Sequence, residues 1–295
     1  MNFDNIVGNE KVKELLNKTI SSNNILHSYM FFGIDGIGKS IFAKEFAKMI
    51  LCEASQKPCN NCKSCIEFEN NNNPDFTIIE PDGKNIKIEQ IRYIEQKISE
   101  KPIISDRKVY IINNSDTMTK EAQNCLLKTL EEPPEYVSLI LITSNENKLL
   151  NTIRSRCIKI NFNKLKDEEI QKYLQENTDG DITSNMISFC DGSLGKALKI
   201  YEQKEMYNSL EELISKIETK DLIYVLNNSE VLYSQKEFIY DLLEYINVLL
   251  LKSKQIEKIN SVRQVEEAKR RLLANSNYEM TIDNLLIKMW EEISD

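Results

Sequence analysis

At 295 residues, with 41% apolar and 28% charged side chains, the chain is too long for one ordinary hydrophobic core and reads as a globular protein of two or three domains. A formal net charge of −8 and a pI near 5.1 suit the surface poorly to bare phosphodiester backbone, so any nucleic-acid contact is expected to be local or shared with partners. The longest apolar runs, such as Val248-Leu249-Leu250-Leu251, fall far short of the ~20 residues that span a bilayer, and no signal-peptide pattern opens the chain, so a cytoplasmic protein without membrane contact is expected.

The first strand-like run is Tyr29-Met30-Phe31-Phe32, preceded by the lone His27, which is expected to pack and position that strand. It leads into Gly33-Ile34-Asp35-Gly36-Ile37-Gly38-Lys39-Ser40, which fits G-x-x-x-x-G-K-[ST] and opens a helix. In such a loop Gly33, Gly36 and Gly38 let backbone N–H groups turn toward phosphate at the positive end of the helix. Lys39 reaches the β/γ-phosphates and the Ser40 hydroxyl holds Mg²⁺. Nucleotide binding is therefore the expectation. Ile41, Phe42, Ala43, Phe46, Ala47, Ile50 and Leu51 then recur at helical spacing, giving that helix one face for a sheet.

Cys52, Cys59, Cys62 and Cys65 follow as C-x6-C-x2-C-x2-C, with Pro58, Asn60 and Asn61 as turn residues. Four thiolates so close together specify tetrahedral Zn²⁺ with no open coordination position, hence a structural metal; four unrelated reduced thiols are the plain alternative. Cys125, Cys157 and Cys190 are scattered and are expected to pack as small buried groups. Asn70 to Asn73 reads as a polar loop tip.

Further strand-like runs are Phe76–Ile79, Val109–Ile112, Leu139–Thr143 and Ile158–Phe162, separated by helical or loop segments, which implies a mostly parallel sheet. Val109–Ile112 ends in Asn113-Asn114, where a working ATPase needs an Asp to support the metal and a Glu to act as base on water. An amide cannot accept that proton, and a missing general base costs roughly 10²–10⁴ in rate. Asp116 comes three residues late and is assigned to the following turn. Thr119 to Glu132 has Ala122, Cys125, Leu126 and Leu130 on a helical stripe and stops at Pro133-Pro134. From Asp167 to Tyr201 short helical patterns surround Gly192 and Gly195, and from about Asn208 stripes such as Phe238, Leu242, Leu243, Ile246, Leu249 and Leu250 describe an all-helical module. Lys269-Arg270-Arg271, preceded by Glu266 and Glu267, reads as a solvated helix face.

A P-loop helix that runs into a four-cysteine knuckle, then Leu126-Leu127-Lys128-Thr129-Leu130-Glu131-Glu132-Pro133-Pro134 and finally Ser155-Arg156-Cys157, resembles the bacterial clamp-loader AAA+ family. The resemblance spans roughly residues 1 to 205, continues more weakly beyond, and is greatest to the delta-prime branch, with Pro74-Asp75 and Pro81-Asp82-Gly83 also in keeping and no long C-terminal extension of the tau form. It implies an α/β AAA+ P-loop module with a parallel sheet over residues 1–163, carrying the zinc knuckle at 52–65. A small helical lid over 164–207 and an all-α collar over 208–295 follow. The family implies partners as well: gamma/tau and delta subunits in a five-membered ring of the DNA polymerase III holoenzyme, which uses ATP to open a sliding clamp and close it on primed DNA.

The resemblance also assigns roles. Arg156 becomes an arginine finger that reaches the γ-phosphate bound by a neighbouring subunit, where the composition alone would read a solvated surface arginine. Arg154 becomes a structural or interface charge. Thr143 takes the place of a polar sensor near the γ-phosphate, a strand-capping hydroxyl being the other reading. In Gly192-Ser193-Leu194-Gly195-Lys196-Ala197 the place of the sensor arginine falls on Gly195, with Lys196 as a poor substitute. With Asn113 and Asn114, this implies ATP/Mg²⁺ bound without hydrolysis. The alternatives are an active gamma/tau-like motor ATPase in which Asp116 stands in for the acidic pair, and a nucleic-acid-binding cysteine finger, which the acidic pI and the few basic residues around Cys52 to Cys65 disfavour.

Overall fold

The structure, a computed structural model, describes residues 3–180, 182–253 and 256–294. The chain divides into two compact units, one of residues 1–169 with 192–195, the other of residues 170–191 with 196–295.

In the first unit α1 (Glu10–Ser21) precedes β1 (Ser28–Phe32), and α2 (Lys39–Leu51) and α3 (Lys63–Glu69) lead to β2 (Phe76–Ile79). Then come α4 (Ile88–Ile98), β3 (Lys108–Ile112), α5 (Lys120–Glu131), β4 (Val137–Thr143), α6 (Asn151–Arg154) and β5 (Ile158–Asn161). All pairings are parallel, in the order β2-β3-β4-β1-β5. The five strands expected from apolar runs are the five observed. β1, β3 and β4 read as continuous apolar runs because both faces of the sheet are covered. Tyr29 and Phe31 point into a core with Phe42 and Phe46 of α2, whereas Met30 points into a second core with Ile91 and Ile94 of α4 and Leu126 of α5.

Local chemistry sets the helix ends that matter below. α2 starts directly after Gly38, whose φ of +92° an L side chain rarely adopts. α5 is capped by Thr119, whose hydroxyl accepts from the Ala122 N–H at 3.2 Å, and it stops before Pro133-Pro134, with Glu132 already out of the helical region.

The second unit holds α8 (Ser184–Cys190), most of α7 (Asp167–Asn177) and of α9 (Leu194–Glu202), and α10 (Lys204–Lys216). α11 (Leu222–Asn227), α12 (Glu230–Ser234), α13 (Ile239–Lys252), α14 (Ile256–Asn260), α15 (Val262–Leu273) and α16 (Tyr278–Ser294) complete it. Its core includes Phe189, Tyr207 and Tyr245, whose rings pack with centroids 5.0–6.1 Å apart. The basic run in α15 departs from the solvated face expected of it. Lys269 is buried, held by Glu244 at 2.6 Å and Glu266 at 2.7 Å, while Arg270 stays at the surface. Cys157 and Cys190 are buried as expected, but Cys125 is half-buried and its thiol donates to Glu95 Oε2 at 3.2 Å. Among the described residues no helix is long and apolar enough to cross a membrane.

Candidate nucleotide site and interface arginine

The loop Gly33 to Gly38 leaves β1 at the carboxyl edge of the sheet, beside the end of β4, where the Gly33 N–H donates to the Thr143 carbonyl at 3.3 Å. Ligands of open parallel sheets bind at this edge. Lys39 is buried and its ammonium folds back onto the loop, donating to the Gly33 and Ile34 carbonyls at 2.7 Å each, with the Asp35 carboxylate at 3.6 Å. Burial pulls the Lys39 pKa below its ordinary value, and Asp35 opposes that shift.

Ser40 donates through its hydroxyl to Asn113 Oδ1 at 3.1 Å, so the tip of β3 does stand against the loop where the sequence places it. The same Oδ1 accepts from the Asn114 N–H at 3.2 Å, and the Nδ2 faces Glu80 Oε1 at 3.5 Å. An amide oxygen is a neutral ligand for a hard cation and no base. Asp116 lies in the short turn after β3, as expected, yet its carboxylate turns inward and accepts from the Thr143 hydroxyl at 3.0 Å. Thr143 is fully buried and also accepts from the Asn145 N–H at 3.1 Å, so its hydroxyl both caps the strand and ties β4 to Asp116.

The outer side of the loop is covered by the segment Gly192–Gly195. The Gly195 N–H donates to the Gly36 carbonyl at 2.8 Å, and the Ser193 hydroxyl to the Asp35 carbonyl at 2.8 Å. A Cβ on Gly36 would lie 2.3 Å from the Ser193 hydroxyl, and one on Gly195 would lie 2.9 Å from the Gly36 Cα. The position expected to carry a sensor arginine is thus a glycine in direct contact with the loop backbone. Lys196 sits with its ammonium 3.4 Å from the centroid of the Phe189 ring, within the second unit.

The four cysteines are brought together, with ligand sulfurs all within 4.8 Å of one another. Cys52 ends α2, Cys62 caps α3, and the N–H groups of Cys59, Cys62 and Cys65 point at the sulfurs of Cys52, Cys59 and Cys62 at 3.3–3.4 Å. Zn–S bonds of about 2.3 Å in a tetrahedron put sulfurs roughly 3.8 Å apart, so the donor set and its spacing fit the metal. Burial raises the thiol pKa of Cys52 and Cys65, whereas N–H bonds from Asn61 and Cys62 pull Cys59 down to about 6.

Arg156 lies between α6 and β5, and its carbonyl accepts from the hydroxyl of Ser28, the first residue of β1, at 2.6 Å. It therefore stands at the amino edge of the sheet. β1 separates that edge from the P-loop by five residues, roughly 16 Å at about 3.3 Å per residue. Its guanidinium is anchored at two points, Nη1 to the Thr152 carbonyl at 3.0 Å and Nη2 to Glu131 Oε1 at 2.9 Å. Arg154 bonds Asn151, and its Nε is buried with no hydrogen-bond partner among the described residues. Half-buried His27 gives its carbonyl to the Leu139 N–H at 2.8 Å, at the start of β1. Glu80 and Gln123 gave no signal in the sequence, while Glu131 and Ser193 stand in the runs that carry the resemblance but had no role assigned to them. Gln123 is buried and joins the Met118 and Lys148 carbonyls to the Leu150 N–H at 2.8–3.1 Å.

A family model described as DNA polymerase III, delta subunit matches residues 8–166, just over half of the chain. The DNA polymerase III subunit delta' of Bacillus subtilis (strain 168) is 29% identical over 315 aligned positions, which span 95% of this chain and 96% of that protein. The chain belongs to the delta-prime clamp-loader family. The subunit tau/gamma of Haemophilus influenzae is 34% identical over 199 positions, covering 67% of this chain and 28% of that longer protein. A solved gamma subunit-related protein of Thermotoga maritima superposes with a TM-score of 0.51 at 22% identity, over 96% of this chain and 99% of that one, which establishes a shared fold.

Proposed function

We propose that this chain is the delta-prime-type member of a clamp-loader ring, which with gamma/tau and delta subunits loads a sliding clamp onto primed DNA, and that it lends Arg156 to a neighbour's nucleotide site. One observation supports this reading above all: Arg156 and the P-loop occupy opposite edges of one sheet, which puts the arginine out of reach of its own loop and in keeping with a site on another chain. There it would neutralise charge that grows on the γ-phosphate, a contribution worth about 10³–10⁵ in rate in related chemistry. Its own loop would bind ATP as a structural ligand. Support for binding without turnover comes from Asn113 against Ser40 and from Gly195 against Gly36, which leave neither an acidic pair nor a sensor arginine.

The remaining assignments complete this reading. Cys52, Cys59, Cys62 and Cys65 hold a structural Zn²⁺ that fixes the turn between α2 and α3, in keeping with the fit of the sulfur cluster. Residues 164–207 act as a lid and residues 208–295 as the collar that joins the ring, in a cytoplasmic assembly. The deciding experiment compares DNA- and clamp-stimulated ATP hydrolysis by the reconstituted loader carrying wild-type chain or Arg156→Ala at equal assembly. A fall of orders of magnitude is expected, and unchanged turnover overturns the finger.

A second reading, an active motor, draws on Asp116, whose carboxylate contacts Thr143 and contributes a favourable charge to Lys39. Lys39-dependent hydrolysis by the isolated chain would establish it in place of the silent site.

A further inference from the structure

We propose that Glu131 is the positioning residue of Arg156, fixing the guanidinium that the neighbouring site would receive; the inference rests on the arginine-finger reading above. Glu131 is the last residue of α5, and Pro133-Pro134 ends that helix immediately after it. The carboxylate is thereby placed at the negative end of a helix, beside the turn between α6 and β5, and takes Nη2 of Arg156 at 2.9 Å. Nη1 is held 3.0 Å from the Thr152 carbonyl, so the planar group is gripped at both ends by two elements 25 residues or fewer from it in sequence.

Two of five guanidinium donors are used in this way, and the other three can face an anion. Without the carboxylate, one carbonyl would have to orient a long side chain with large rotamer entropy. The adjacent Glu132 has already left the helix, at φ −127°. Because the Glu131 and Arg156 side chains are 52% and 35% exposed, their pair adds little to folding. Substitutions at Glu131 therefore report on placement, not on stability.

Two measurements separate the latch from the finger. In the purified chain, labelling of Arg156 by phenylglyoxal, followed by peptide mass spectrometry, should be slowest in wild type, faster in Glu131→Gln and fastest in Glu131→Ala. Equal rates overturn the latch. In the assembled loader, Glu131→Ala should lower kcat about tenfold with little change in the KM for ATP, since misplacing a catalytic group costs rate more than binding. The double variant with Arg156→Ala should be no slower than Arg156→Ala alone. Additive losses would show that Glu131 acts elsewhere and sink the proposal. If Arg156→Ala leaves turnover unchanged, finger and positioning role fall together, and faster labelling then marks the pair as structural only. If Arg156→Ala abolishes turnover while Glu131→Ala alters neither labelling nor kcat, the finger stands and the latch is refuted.

Discussion

The Ser40 hydroxyl and Asn113 Oδ1 meet at 3.1 Å, so an amide stands where a metal-supporting carboxylate would face the P-loop serine. Replacing the amide by a carboxylate tests what that neutral oxygen withholds. Asn113→Asp should tighten ATP binding only when Mg²⁺ is present, by about tenfold, the scale of one charge-assisted contact. Calorimetric titration of the two chains with and without Mg²⁺ checks this; equal gains in both conditions would mean that the residue does not face the metal.

The contact between Gly36 and Gly195 leaves no room for a methyl group on either side. Gly36→Ala also forces a side chain onto a φ of +75°, so a loss of about 1–3 kcal/mol is expected in denaturant unfolding. Gly195→Ala has an ordinary φ but meets the Gly36 backbone, so it should push the 192–195 segment away from the loop. Faster amide hydrogen exchange at Gly36 and Ile37 would register that displacement. Wild-type exchange rates in Gly195→Ala would contradict the packing.

Purified chain should carry close to one equivalent of zinc, released by a mercurial reagent and counted with a metallochromic dye. Cys65→Ser removes a buried ligand and should abolish that equivalent while lowering stability by several kcal/mol, since structural metal binding is linked to folding. Full zinc content in Cys65→Ser would reject the four-sulfur site.

Cys157 supplies a pH test of the Ser-Arg-Cys turn. Burial raises its thiol to about 11 from an ordinary value of 9.0, so the folded chain keeps the proton longer than the unfolded one. The stability this supplies is complete below pH 9 and drains away as pH climbs toward 11, by about 1–3 kcal/mol. Cys157→Ala should flatten that part of the alkaline limb relative to wild type. Parallel curves for the two chains would show that the thiol is not shielded in the native state.

What could be read in the sequence was whatever leaves a local mark. The P-loop, the five apolar strands, the cysteine spacing and the proline stop after Glu132 are each written within a few neighbouring residues. What could not be read was pairing across space. Glu131 meets Arg156 over 25 positions, Ser40 meets Asn113 over 73 and Ser193 meets Asp35 over 158, and no periodicity spans such gaps. Lys269 shows the limit: Glu266, nearby on its own helix, was visible beside it, but Glu244 comes from α13 and turns an expected solvated lysine into a buried ion pair. Asp116 shows it again, placed correctly in a turn whose carboxylate reaches Thr143 on the adjacent strand.

If the P-loop receives nucleotide and Arg156 is lent to a neighbour as proposed, one edge of the sheet accepts and the other gives, and the chain has a direction. Parts with a distinct giving end and receiving end join head to tail, and such contacts close into rings or run on without end, whereas twofold pairs need one self-complementary patch. A member whose receiving end lacks the acidic pair would pass its arginine forward yet never fire itself, giving a circle of otherwise repeating sites a place to begin.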